Sequence, residues 1–188
     1  MKSRLLVVAF AIAFINTSKA QENVIKLNPL GLIFGSLSVG YERVLNDNHS
    51  AQVNINFITF KVGDNKFSGF GITPEYRFHF GNHENPKGFY AGPFIGFNTF
   101  KWTYEDSYFD NNFNLITEDA DVSVTSFSIG GIIGHQWIFG EAFALDLNLG
   151  AGYNMASFDT DDDDADPNFG LAASGILPRL GLAIGYAF

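Results

Sequence analysis

The sequence predicts an all-β chain that closes into an antiparallel transmembrane β-barrel, most simply one of eight strands. Three observations lead to this fold class. Bulky and small residues alternate with a period of 2 through most of residues 21–188, which is typical of strands. The 188 residues include 20 Gly and 21 Phe, and only 16 % of them are charged, against about 25 % in ordinary soluble domains.

The first 20 residues are predicted to be a secretory signal peptide that is separate from the fold. Lys2 and Arg4 precede an uninterrupted apolar run over residues 5–15, which is too short to cross a bilayer as a helix. Ser18 and Ala20 supply the small residues of a cleavage site. The expected division is therefore a signal peptide over residues 1–20 and a barrel domain over residues 21–188.

The facing of the alternating segments indicates a membrane barrel. Leu145, Leu147 and Leu149 share one face of a strand, whereas Asp146 and Asn148 lie on the other. A face of Gly, Ala, Ser and Asn opposite a bulky apolar face suits the narrow interior of a barrel whose outer wall meets lipid. Eight strands are predicted, at residues 24–34, 36–46, 50–62, 68–80, 88–104, 121–138, 142–157 and 174–188.

Several features of these strands are irregular. Pro29 interrupts the first strand, and the facing of residues 88–104 is ambiguous. The alternation shifts near Phe57 and near Thr125, which predicts either a bulge or an exit from the membrane at those points. If the N-terminus starts in the periplasm, the two longest connections, residues 105–120 and 158–173, both lie on the outer side, as is usual in such barrels.

The final strand resembles the assembly signal of bacterial outer-membrane barrels. That resemblance rests on alternate apolar residues that end in an aromatic C-terminus, namely Leu180, Leu182, Ile184, Tyr186 and Phe188. In size and layout the chain resembles small eight-stranded barrels of the OmpA/OmpX type, and residues 25–43 resemble the opening of small barrel proteins from Bacteroidetes. The resemblance implies a location in the bacterial outer membrane and recognition by the barrel assembly machinery. We expect a monomer that contacts lipid and lipopolysaccharide and that has no cofactor.

Charged residues on the small-residue faces form a predicted lumen network. Eight-stranded barrels are only just wide enough for side chains to fill, so opposite charges there are expected to pair. The favoured interpretation is a plug of ion pairs, and the alternative is a conducting or catalytic lumen. The predicted members are Glu42, Glu75, Arg77, His79, Asp146 and Arg179, with Lys26 as a weaker candidate.

The last long connection is a candidate calcium site. Six carboxylates fall within residues 159–166, and calcium prefers oxygen ligands. The spacing does not fit an EF-hand, because the positions that require Gly and Glu hold Asp164 and Gly170. A solvated loop tip is the alternative interpretation. The candidate ligands are Asp159, Asp161, Asp163 and Asp166.

Charge and composition exclude several classes of function. A formal net charge of −9 argues against a nucleic-acid partner, and the absence of cysteine excludes disulfides and thiolate chemistry. The predicted function is a non-enzymatic outer-membrane barrel with a structural or surface-interaction role. The first alternative is a narrow channel for small or hydrophobic solutes. The second is a lipid A-modifying hydrolase, which is disfavoured because neither His79 nor His135 has a serine within two residues on the same face.

Overall fold

The computed structural model describes residues 22–33, 35–81, 86–109, 115–140, 142–160 and 174–188. Neighbouring strands pair antiparallel throughout, and the first strand pairs with the last to close the ring. The predicted fold class, a closed antiparallel barrel of eight strands, is therefore confirmed. The elements of this described part are β1 (Asn23–Leu27), α1 (Pro29–Ile33), β2 (Ser36–Asn46), β3 (His49–Val62), β4 (Asn65–Phe80), β5 (Gly88–Phe109), β6 (Leu115–Phe139), β7 (Phe143–Thr160) and β8 (Gly175–Ala187).

The first strand exists as predicted, but its predicted end at residue 34 is wrong, because β1 stops at Leu27. Asn28 caps a short helix instead: its Oδ1 accepts hydrogen bonds from the backbone N–H of Leu30 at 3.0 Å and of Gly31 at 3.2 Å. Pro29 lacks an N–H and suits the first helical position. The chain then returns to β2 through Gly35, whose φ of +70° favours glycine.

The predicted signal peptide, residues 1–20, lies outside the described residues. Within the described ranges, no helix is long and apolar enough to cross a membrane. The division into a signal peptide and a barrel domain therefore stays a prediction.

The two ends of the barrel differ in their connections. The turn end holds residues 46–49, residues 139–140 and 142–143, and both ends of the ring, Asn23 and Phe188, whose backbones exchange hydrogen bonds of 3.0 and 2.9 Å. At the opposite end, here called the hairpin end, strands β4 to β7 extend beyond their predicted bounds. Strands β5 and β6 stay paired up to the rung of Phe109 and Leu115, so most of the loop predicted at residues 105–120 is a hairpin.

The outer wall carries an apolar belt, as the alternation predicts. Leu147 and Leu149 are about half exposed, whereas Asp146 and Asn148 are buried in the lumen. The belt continues around the ring through exposed side chains that include Ile25, Phe57, Phe70, Phe97, Ile129, Ile133, Tyr153 and Leu180. In water such a surface would be costly, whereas in a bilayer it is the lipid-facing wall. A closed ring with this belt is consistent with the predicted outer-membrane location.

The structure settles the facing of β5. Tyr90 and Phe94 point into the lumen and are almost fully buried. Glycines on the facing strands make room for them: a Cβ at Gly134 would lie 2.5 Å from the Tyr90 ring, and a Cβ at Gly130 or Gly152 would lie 2.7 Å from Phe94. The small lumen residues therefore accommodate aromatic side chains from β5 as well as polar ones.

The polarity of the strands inverts at the hairpin end. Pairing of β3 with β4 and of β6 with β7 continues without a register shift through Phe57 and Thr125. Of the two alternatives for these positions, membrane exits therefore fit and bulges do not. Beyond the exits, the residues that face outward are polar, namely Thr59, Lys61, Lys66, Ser68, Lys101 and Thr103. The residues that face inward are apolar, namely Phe60, Phe67, Phe100, Trp102, Val122 and Val124.

Candidate functional site

The polar side chains of the lumen meet in one ionic network in the half of the barrel nearest the turn end. Each of the predicted members points inward because of its place in the alternation of its strand, and the structure brings these side chains together. The three carboxylates and three cations form a linked set of ion pairs: Glu42, Glu75 and Asp146 with Lys26, Arg77 and Arg179. Equal numbers of opposite charges allow a buried network to satisfy its own members.

Arg77 lies at the centre of this ionic network and is fully buried. Its Nε and Nη2 donate to Glu75 Oε2 at 3.0 and 2.7 Å, and its Nη1 donates to Asp146 Oδ2 at 2.7 Å. The guanidinium also lies 4.3 Å from the centre of the Tyr90 ring, whose hydroxyl donates to Asp146 Oδ1 at 2.6 Å. Arg77 therefore ties three strands together across the lumen.

Lys26 is the second centre of the network, although the sequence marked it only as a weaker candidate. Its Nζ lies 2.7 Å from Glu42 Oε2 and donates to Gln52 Oε1 at 2.7 Å. It also contacts the side chains of Gln136 and Asp146. Lys26 is 2 % exposed, so its charge is held by protein groups from β2, β3, β6 and β7 rather than by bulk solvent.

Apolar residues and one side-chain hydrogen bond lie at the turn end of the lumen, below the ionic network. Val24, Ala144 and Ala187 form a buried apolar cluster there. Gln136 closes the same region from the side, because its Nε2 donates to the backbone carbonyl of Pro86 at 2.6 Å. Among the described residues, apolar packing and the bond from Gln136 to Pro86 therefore lie next to the ion pairs on this side.

Ser50, His79 and Glu42 make a local cluster that could be mistaken for a hydrolytic triad. The Ser50 hydroxyl donates to Glu42 Oε1 at 2.5 Å and lies 2.9 Å from His79 Nε2. The serine comes from the neighbouring strand β3, so a search along the His79 strand alone could not find it. A triad needs its carboxylate on the other ring nitrogen, but His79 Nδ1 has no hydrogen-bond partner in the described chain. Ser50 is also fully buried, so the arrangement does not fit a hydrolase.

A polar cavity of about 300 Å³ lies above the ionic network, toward the hairpin end. Its floor is formed by Lys26, Asp146 and Arg179, and Phe94 lies at one side with the Arg179 guanidinium 4.7 Å from its ring centre. Amides and hydroxyls form much of the wall: Gln52, Asn54, Asn56, Asn98, Asn148, Ser38, Thr73 and Ser128. We call this space the amide cavity.

Two buried polar atoms at the amide cavity lack a protein partner. Asn148 is 8 % exposed, and its Oδ1 accepts no hydrogen bond from the described residues. Arg179 pairs through Nη2 with Glu75, but its Nη1 has no partner in the same part of the chain. Both atoms are shielded from solvent, so each is a buried polar group without a partner in the described chain at the edge of the cavity.

Sequence reasoning missed several members of the site. The uncharged residues Ser50, Gln52 and Gln136 were overlooked because only charged residues were considered. Their places in the alternation of their strands nevertheless predict that they point inward. Tyr90 lies in the strand of ambiguous facing. The signal that could have found it is the run of lumen-side glycines on β6, which leaves space that only a bulky inward neighbour fills.

Other predicted sites have a mixed outcome. Asp161, Asp163 and Asp166 lie outside the described residues, and Asp159 alone belongs to β7. In the chain that the structure does describe, no group of three His, Asp or Glu residues could hold a metal, so calcium binding stays a prediction.

The predicted assembly-signal residues of β8 alternate on the outer wall, with Leu180 74 % and Tyr186 58 % exposed. Their recognition by the assembly machinery also stays a prediction.

Solved structures of outer-membrane proteins match the chain at low sequence identity. A major outer membrane protein from Thermus thermophilus matches with a TM-score of 0.53 and 13 % identity, over 90 % of this chain and 100 % of that chain. CarO2 of Acinetobacter baumannii matches with a TM-score of 0.46 and 11 % identity over 92 % and 100 %. The N-terminal β-barrel domain of Pseudomonas aeruginosa OprF matches with a TM-score of 0.39 and 15 % identity over 90 % and 100 %. No curated protein sequence matches the chain.

One family model covers most of the sequence. It matches residues 5–162 and is described as a protein of unknown function, DUF3575. That range includes β1 to β7 of the barrel and the whole ionic network except Arg179. The chain belongs to the DUF3575 family.

Proposed function

We propose that this chain is a non-enzymatic outer-membrane barrel whose lumen is plugged and whose role is structural or lies in contacts at its outer surface. The observation that carries the proposal is the ionic network, in which three carboxylates and three cations pair inside a ring of eight strands. An open ion path needs water and mobile counter-charge, whereas these charges hold each other. The apolar cluster at the turn end supports closure from below.

The outer surface at the hairpin end supports contact with lipopolysaccharide. Lys61 and Lys66 are cross-strand neighbours on β3 and β4, and Lys101 lies on the adjacent strand opposite Ser68. All three lysine side chains are exposed on the outer face just beyond the membrane exits. Phosphate groups of an anionic leaflet would meet basic side chains at this level, and such contacts are favourable. We expect the chain to act as a monomer, because a closed ring leaves no strand edge to pair at the turn end.

Single-channel recording in planar bilayers tests the plug. The wild-type barrel is expected to show no steady conductance at moderate voltage. The double variant Arg77→Ala, Asp146→Ala removes one cation and one anion from the centre of the lumen and is expected to leak. Steady conductance of the wild-type barrel would contradict the plug and favour the narrow channel instead.

The enzymatic alternative has its own test. Lipid A from a deletion strain is expected to have an unchanged mass spectrum, because Ser50 is buried and its neighbours are not arranged as a triad. A deletion strain that accumulates lipid A with an extra acyl chain, restored by wild type but not by Ser50→Ala, would overturn the non-enzymatic assignment.

A further inference from the structure

The barrel wall has a gap in its hydrogen-bond ladder on the hairpin side of β1. The β1–β8 ladder ends at the rung of Leu27 and Ile184, and the β1–β2 ladder ends at Leu27 and Val39. Beyond this rung α1 replaces β1 and contacts both β2 and β8. Among the described residues, the segment 176–183 of β8 therefore pairs with β7 on one side and has no strand on the other. We call this gap the seam.

The sequence around the seam is suited to an open edge. Pro178 lies in the part of β8 that has a strand on one side only, and proline in a sheet is confined to edges and bulges because it lacks an N–H. Asn28 and Pro29 stop β1 and begin α1, as described above. Leu32 and Ile33 of α1 are exposed, so the gap is flanked by apolar surface on the lipid side. The seam is therefore built into the local sequence on both of its sides.

The amide cavity reaches the seam from inside. Its lining includes Leu27 and Asn28 on one side of the seam and residues 180–183 of β8 on the other. Backbone groups at such an edge cannot remain unpaired in hydrocarbon without a cost of several kcal/mol each. A polar partner is therefore required where the lumen meets the lipid.

An apolar groove of about 470 Å³ continues from the seam down the outer face of β1. Lys26 and Leu27 line both the groove and the amide cavity, so β1 separates the two spaces up to its last rung, where the seam begins. The remaining lining residues are Ile25, Val39, Phe143, Ile184, Gly185 and Tyr186.

We propose that the seam is a binding site for a membrane amphiphile, with its uncharged hydroxyl-bearing head in the amide cavity and its alkyl tail in the groove over β1. A cavity of about 300 Å³ is at the lower end of the range for small-molecule sites and suits a head group rather than a whole lipid. The groove continues the lipid-facing wall, so the tail would stay in contact with hydrocarbon.

The charges of the amide cavity explain why the head is uncharged. Lys26 is paired with Asp146 and Glu42, and Arg179 is paired with Glu75. The rest of the cavity wall is lined largely by amides and hydroxyls. A hydroxyl group both donates and accepts hydrogen bonds, as amides do, so a glycerol or sugar head matches this lining without disturbing the ion pairs.

Retention of 1-monooleoylglycerol by the barrel in phosphatidylcholine nanodiscs tests the site. The bound number per barrel is measured by native mass spectrometry over a series of monooleoylglycerol mole fractions. Wild type is expected to saturate at one molecule. Asn148→Leu removes an amide from the lining of the cavity, and Val39→Trp fills the groove. Each is expected to raise the half-saturating mole fraction about tenfold, which corresponds to the loss of about one hydrogen bond or of one well-packed tail contact.

Matched controls separate the site from general effects on the barrel. Asn154→Leu changes another buried lumen asparagine that does not line the cavity, and Ile129→Trp enlarges an exposed residue of the outer wall that does not line the groove. Both are expected to retain the wild-type half-saturation. Heat-modifiable gel mobility checks that all four variants fold.

Oleylamine and oleate, which have charged heads, are expected to be retained about tenfold more weakly, because each brings an unpaired charge to a site whose own charges are already paired.

Three outcomes would overturn the inference. These are an absence of saturable retention by wild type, equal losses in the control variants, and competition by free glycerol with no effect of Val39→Trp. The last result would indicate a soluble ligand that does not use the groove. The inference rests on the proposed membrane location but not on the plug. A conducting wild-type barrel would refute the plug and leave this result unchanged.

Discussion

Replacing Arg77 by leucine tests whether the ionic network holds the barrel together. The fully buried guanidinium makes two hydrogen bonds to Glu75 and one to Asp146. Leucine is smaller and uncharged, so it leaves both carboxylates buried with one excess negative charge in the lumen. Removing one partner of a buried pair costs about 3–5 kcal/mol. We therefore expect the free energy of unfolding to fall by about that amount.

The measurement is reversible urea unfolding in lipid vesicles, followed by the fluorescence of the two tryptophans. Arg43→Leu is the matched control, because Arg43 is exposed on the outer wall of β2 and such changes usually stay within about 0.5 kcal/mol. The double variant Arg77→Leu, Asp146→Leu leaves Lys26 with Glu42 and Arg179 with Glu75. It should therefore recover much of the loss, since replacing a whole buried pair by apolar groups is often nearly neutral. A loss for Arg77→Leu no larger than that of Arg43→Leu would refute the reasoning.

Two further predictions concern the wall and the hairpin end. Leu147→Arg places a charge on the lipid-facing wall and should cost about 2–4 kcal/mol near the midplane, measured by the same unfolding assay; full stability would show that this face does not meet lipid. Beyond the membrane exit, hydrogen bonds from Lys101 and Thr103 hold the pKa of the Asp121 carboxyl below its usual range. A depressed pKa means that this contact is present above the ordinary pKa of aspartate and is lost as pH falls through the lowered value. Thr103→Val should move the Asp121 titration, followed by carboxyl NMR, to higher pH, and an unmoved titration would contradict the assignment.

The alternation of the sequence was sufficient to predict the barrel and, outside β5, the facing of its strands. A strand period of 2 assigns each side chain to a face, so Glu42, Asp146 and Leu147 could be placed inside or outside without any knowledge of their neighbours. The lumen location of the charged residues followed from the same rule. The end of β1 could have been predicted from the sequence, because Asn28 and Pro29 are residues that begin a helix. The alternation of the neighbouring residues favoured a longer strand instead.

Only the tertiary structure decided which lumen side chains meet. Ser50 and His79 lie on different strands, and their contact depends on the register between β3 and β4, which no single strand specifies. The central place of Lys26 likewise depends on strands far apart in the sequence that converge across a closed ring. The seam likewise depends on how the strands pair in the closed ring. Local residues determined that β1 is short, but the gap exists because β8 continues past the point where its partner has ended. Periodicity therefore determined the face on which each residue lies, while register and ring closure decided its partners.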